Sequence, residues 1–99
     1  MKIIVTVPAY NEEKSIGKVV ADIHQAMKEL KKEYHVLVVD DGSTDQTAEI
    51  ARQQGAQVVS HPLNYGLAEA FRTEIDHALA LGADIIVHTD ADGQYQARE

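Results

Sequence analysis

Ile3-Ile4-Val5-Thr6-Val7 begins the chain as a nearly continuous β-branched run. Such a run suits a strand buried on both faces. Pro8 has no N–H for a ladder and is expected to end that strand. Ile16, Val19, Val20, Ile23, Met27 and Leu30 then recur at helical spacing and predict a helix over residues 13–32. A second buried strand is predicted over His35–Asp40, carried by Val36-Leu37-Val38-Val39. Gly42-Ser43-Thr44 reads as a turn, with Ser43 or Thr44 capping a short helix that begins near Asp45 and stops at Gly55. Ala56–Ser60 is a brief third strand, and Asn64-Tyr65-Gly66 is a loop. Leu67, Ala70, Phe71, Ile75, Ala78 and Leu79 form the next helical stripe, ended by Gly82, and Ile85-Ile86-Val87 is a fourth strand.

Strands and helices therefore alternate throughout. This order argues for an α/β, Rossmann-like, three-layer α/β/α domain with a mostly parallel sheet and right-handed crossovers. No repeat, low-complexity tract or linker interrupts it, so residues 1–99 read as one domain. Hydrophobic residues make up 44% of the 99, a globular composition. There is no cysteine, which removes disulfides and thiolate metal sites. No segment is long enough to span a bilayer, and the first apolar run lacks the form of a signal peptide. A cytoplasmic location is expected, with membrane association of a longer protein left open.

The formal charge of −7, from 16 acidic and 9 basic residues, argues against a nucleic-acid partner, because phosphate binding needs clustered Lys and Arg. Converging carboxylates fit a cation better. In open parallel sheets, ligands bind beyond the carboxyl ends of the strands. The polar loops lie at those ends: Pro8-Ala9-Tyr10-Asn11-Glu12-Glu13, Asp40-Asp41-Gly42-Ser43-Thr44-Asp45 and Asp90-Ala91-Asp92-Gly93-Gln94.

In an extended turn, Asp90 and Asp92 point to one side. They can share a hard divalent cation through oxygen ligands, and Gln94 can add an amide oxygen. A solvated acidic turn would read the same way. Asp40-Asp41 could accept hydrogen bonds from a ribose or a base N–H, or could simply form a turn. Tyr10 offers a flat face for stacking a base, or ordinary packing. Glu12 and Glu13 could favour the N-terminus of the helix that follows. Lys28, Lys31 and Lys32 complement that helix's carboxyl end. His24, His35, His61, His77 and His88 stand isolated and read as structural or solvated.

Together, Val7–Glu13, Val38–Asp45, Asn64-Tyr65-Gly66 and Asp90–Gln94 resemble the family 2 glycosyltransferases of GT-A fold, especially dolichyl- and polyprenyl-phosphate sugar synthases. The resemblance covers essentially the whole chain. It implies the N-terminal nucleotide-sugar-binding part of a domain that continues beyond Glu99. Pro8, Ala9, Tyr10 and Glu12 would line the nucleobase pocket, and Val39 and Asp41 would hold base and ribose. Asn64 and Gly66 would shape the donor site, with Arg72 a further candidate for the same cleft. Asp90, Ala91 and Asp92 would meet the donor diphosphate, and Asp90, Asp92 and Gln94 would hold its metal, Mg²⁺ or Mn²⁺.

The implied partners are a UDP- or GDP-linked sugar donor and an acceptor, a polyprenyl phosphate being one class. Self-association is left open, and catalytic residues are expected beyond residue 99. One departure is that Tyr95 is followed by Gln96-Ala97-Arg98, where the family often has a proline.

Two readings compete. Asp90-Ala91-Asp92-Gly93 also resembles the nucleophile motif of haloacid-dehalogenase-like phosphohydrolases, although that motif follows the first strand of its fold. A non-enzymatic nucleotide-binding module, such as a receiver domain, would also place its acidic pair after the first strand. A dinucleotide-binding fold is disfavoured because no strand is followed by G-x-G-x-x-G.

Overall fold

A computed structural model describes residues 1–89. The elements run β1 (Ile3–Ala9), α1 (Ile16–Leu30), β2 (Tyr34–Asp40), α2 (Thr47–Gln53), β3 (Gln57–Ser60), α3 (Leu67–Ala80) and β4 (Ile85–His88). All strand pairs are parallel, and the sheet order is β3-β2-β1-β4. The first two crossovers carry the sheet one way and the third returns it to the far side of β1. Strand order thus reverses between β1 and β4, the kind of position where α/β sheets open a crevice for ligands.

The three layers are built as the periodicity predicts. Ile16 and Val20 of α1 and Ala51 of α2 are buried against Val7, Ala9, Val36 and Val38 on one face. On the other face Ala78 of α3 packs on Ile4 and Leu37.

Several boundaries differ from the expectation. β1 continues through Pro8 to Ala9, pairing Pro8 with Val39 and Ala9 with Asp40. The backbone oxygens of Lys2 and Thr6 accept bonds from the β4 side, whereas that of Ala9 accepts the Asp41 N–H on the β2 side. By that alternation the missing Pro8 donor falls on the β4 side, where the described register ends at Thr6–His88. Pro8 therefore costs no ladder bond to β2.

α1 starts at Ile16 rather than residue 13, because Ser15 and Ile16 donate to the Glu12 carbonyl in a preceding turn. It closes at Lys31, whose φ of 57° is left-handed. Lys28 lies in the last turn of α1, as expected from the helix dipole.

The stripe on α3 is displaced from the predicted one. Its buried residues are Ala70, Glu74 and Ala78, whereas Leu67 is 73% exposed and Phe71 and Leu79 are also exposed. Residues four apart share a helix face, and here that face carries a carboxyl between two alanines.

Candidate functional site

The loops after β1 and β2 are bound to each other. Asn11, at a φ of 51°, receives the Thr44 N–H on Oδ1 at 2.9 Å and donates its own N–H to Ser43 Oγ at 2.8 Å. The Glu12 N–H donates to the buried Thr47 Oγ1 at 2.8 Å. Ser43 and Thr44 thus join loop to loop instead of capping α2. Asp45 serves α2 instead, accepting from the Thr47 N–H at 2.9 Å. Glu13 Oε1 accepts the Gln46 N–H at 3.1 Å, so this carboxylate supports the N-terminus of α2 and not that of α1.

The loop after β3 closes on the same place. Gly42, at φ 80°, lies so near the Leu63–Asn64 backbone that a Cβ there would come within 2.4 Å of the Leu63 carbonyl carbon. Only glycine permits that approach. Asp41 then gathers the turn: Oδ1 accepts the Tyr65 N–H at 2.9 Å and Oδ2 the Gly66 N–H at 2.9 Å. His61 Nδ1 lies 2.8 Å from Asp41 Oδ1. Burial alone would raise the Asp41 pKa, but His61 and the two backbone donors outweigh it and hold it below the usual value. The carboxylate is therefore ionised at neutral pH.

These contacts frame one cleft of about 270 Å³ at the carboxyl edge of the sheet, lined by Pro8, Ala9, Tyr10, Glu12, Asp41, Asn64, Gly66, Leu67 and Ala70. Seven candidates from three separate loops meet there. Tyr10 keeps 44% of its surface exposed, so a ring face is available for stacking. Val39 is not among the lining residues. It is fully buried in β2, one residue short of the strand end. Arg72 also stays away: its guanidinium is exposed on α3 and lies 3.7 Å from Glu69. Asp90, Ala91, Asp92 and Gln94 lie outside the described residues. Thr89, the last described, donates its N–H to the Thr6 carbonyl at 2.9 Å, holding the end of β4 beside β1.

Among the described residues no group of three or more His, Cys, Asp or Glu side chains could hold a metal. The described loops therefore do not by themselves supply three such ligands for a metal. The chemistry of the Asp90–Gln94 stretch, carboxylate and amide oxygens, suits a hard divalent cation.

Residues 4–98 match the family model of glycosyl transferase family 2. The chain belongs to that family. Its order of parallel strands and helices is that of the GT-A fold. A protein of Methanocaldococcus jannaschii is 46% identical over 100 residues, 99% of this chain and 38% of its own. An undecaprenyl-phosphate 4-deoxy-4-formamido-L-arabinose transferase of Photorhabdus laumondii is 35% identical over 99% of this chain and 31% of its own. Glucosyl-3-phosphoglycerate synthase of Mycobacterium tuberculosis, solved with Mn²⁺, UDP and glucosyl-3-phosphoglycerate, superposes with a TM-score of 0.72 at 34% identity. That match covers 91% of this chain and 33% of the synthase.

The chain thus spans about a third of the length of the relatives it matches. Membership of a glycosyltransferase family sets the phosphohydrolase and receiver readings aside. No helix among the described residues is long and apolar enough to cross a membrane.

Sequence reasoning missed His61 and Glu74. His61 Nε2 lies 2.8 Å from Thr73 Oγ1, so the ring joins the cleft's Asp41 to α3. Glu74 is fully buried, with Oε1 2.8 Å from His88 Nδ1, while its Oε2 and the nearby Thr6 Oγ1 are buried without hydrogen bonds of standard geometry. Burial raises its pKa, and the Thr6 hydroxyl and His88 offset that only in part. His24 is also occupied. Its Nε2 must donate to the Gln54 carbonyl at 2.7 Å, so its Nδ1 accepts from the Tyr34 hydroxyl, pinning α1 to β2 and the end of α2. No sequence spacing signalled these pairs, since each joins residues 10 to 30 apart.

Proposed function

We propose that this chain carries the donor-binding part of a glycosyltransferase that moves a sugar from a UDP- or GDP-linked donor to an acceptor oxygen. The observation that carries this reading is the convergence of Pro8, Tyr10, Glu12, Asp41, Asn64 and Gly66 on one cleft at the sheet's carboxyl edge. The UDP and Mn²⁺ bound by the tuberculosis synthase support a nucleoside diphosphate and a divalent cation as its occupants.

Each lining group has a chemical task. Tyr10 stacks the base. Asp41 has about four acceptor places on its two oxygens, and three are filled by His61, Tyr65 and Gly66. One remains on Oδ2 for a single base N–H or ribose hydroxyl. The N–H groups in the first turn of α3, beyond Gly66, favour negative charge at this end of the cleft. Asp90 and Asp92, with Gln94, would hold the metal, and Ala91 would lie beside the diphosphate. A bound divalent cation neutralises charge on the nucleoside diphosphate as the sugar leaves it. The acceptor oxygen would attack the anomeric carbon from the opposite face and invert it. An acceptor that is already an anionic phosphate, such as a polyprenyl phosphate, needs little help from a base.

Titration calorimetry with UDP and GDP, each with and without Mn²⁺ or Mg²⁺, tests the reading. Saturable, metal-dependent binding of one nucleotide is expected, and Asp92→Asn should abolish the metal dependence. Binding that ignores the cation, or none to either nucleotide, contradicts it.

A further inference from the structure

His61 lies behind the cleft, against Asp41. It follows β3, and its own N–H donates to the Asp40 carbonyl at 2.8 Å, fixing its backbone to the end of β2. Its side chain is only 10% exposed. An ionised carboxylate can only accept, so Nδ1 carries the proton that binds Asp41 Oδ1. In the neutral ring Nε2 then accepts from the Thr73 hydroxyl on α3. The ring also lies 4.9 Å from that of Tyr65, tilted by 41°.

We propose that His61 is the positioning residue of the donor cleft: it fixes the Asp41 carboxylate against the Tyr65 and Gly66 amides and so sets the Asn64–Gly66 wall. The proposal rests on the nucleotide-sugar reading for its ligand but not for its geometry. The imidazole does not line the cleft. It acts through Asp41, whose one remaining acceptor place stays aimed at the ligand only while the other three are held. Without the ring, Asp41 keeps its two backbone donors but loses the side-chain partner that fixes its rotamer. A merely structural His61 would instead act through Thr73, tying β3 to α3.

The two arms of the ring can be separated by substitution. An asparagine amide sits near the Nδ1 position and keeps a donor toward Asp41. A glutamine amide reaches the Nε2 position and keeps only the Thr73 arm. The measurements are UDP affinity by calorimetry in the presence of Mn²⁺ and, without ligand, hydrogen exchange at the Tyr65 and Gly66 amides. H61N is expected to retain slow exchange at both amides and an affinity within about threefold of the parent, whereas H61Q speeds exchange there and weakens binding about tenfold. Nitrogen chemical shifts of the ring should report the Nδ1–H tautomer in the parent chain. Equal behaviour of H61N and H61Q, or a His61→Ala chain that keeps both slow exchange and affinity, overturns the proposal. A parent chain that binds no nucleotide overturns the donor reading instead, and the exchange comparison still decides whether His61 fixes Asp41.

Discussion

The face of the sheet under α1 and α2 and the face under α3 are filled differently. The first buries eight apolar residues in one cluster, from Val7 and Ala9 to Ala51 and Ala56. Among the described residues the second has a smaller buried apolar cluster of Ile4, Leu37 and Ala78, with Val59, Leu81, Ala83 and Ile86 partly buried against it. Around it stand the polar groups Thr6 and Glu74, with His61, Thr73 and His88 at its margin. Apolar contact is non-directional, and it suits a face whose task is to hold the sheet. Hydrogen bonds are directional and high in stakes where water is excluded, and they suit the face that must aim Asp41 and carry β4 toward the acidic motif. The difference implies that stability and ligand geometry can be damaged separately.

The largest separation should come from Ile16→Ala on the apolar face, where the side chain is fully buried. Chemical denaturation is expected to register a loss of about 3 kcal/mol. Nucleotide affinity of the folded fraction should not change, and a parallel loss of affinity would break the division. Asp41→Asn is the converse. It replaces a carboxylate that accepts three hydrogen bonds, so affinity should fall about tenfold or more, with a stability loss of about 1–2 kcal/mol.

The two carboxyl groups near α3 should also respond to pH with opposite sign. The pKa of Asp41 is lowered from 3.8 on folding, so its contribution is complete above that pH and is lost as pH falls through the lower folded value. The pKa of Glu74 is raised from 4.5, so its contribution is complete below 4.5 and is lost as pH rises toward the higher folded value. Stability measured from pH 3 to 8 should therefore lose its acid-side fall in Asp41→Asn and its decline above 4.5 in Glu74→Gln. Matching changes in the two variants would contradict the burial of Glu74. Smallest of all, Lys18→Ala removes an exposed pair with Asp22 at 2.8 Å and should cost no more than about 0.5 kcal/mol.

The apolar face is the one that periodicity revealed. The Ile16–Val20–Met27 stripe and the Val36 and Val38 positions report burial through side-chain type, although α1 starts at Ile16 rather than at residue 13. The α3 face was opaque for a physical reason. Of the predicted stripe Ala70 and Ala78 are buried, but Leu67, Phe71 and Leu79 turn outward, and Glu74 takes an inward position where it pairs with His88. Pairing of that kind depends on β4 standing beside β1, which no local pattern encodes. Most of the cleft was legible because loops at strand ends converge once the sheet is parallel. Val39 shares the motif, yet its side chain is buried beside the cleft and does not line it, a difference that motif membership does not reveal.

The central claim is spatial, and amide chemical shifts measured while UDP and Mn²⁺ are added test it most directly. The account predicts that the largest perturbations fall at Ala9, Tyr10, Asp41, Asn64 and Gly66, with the distant groove around Ala21, Lys28 and Gln54 unmoved. Perturbations centred on that groove, or none at the five cleft amides under saturating nucleotide, would contradict it.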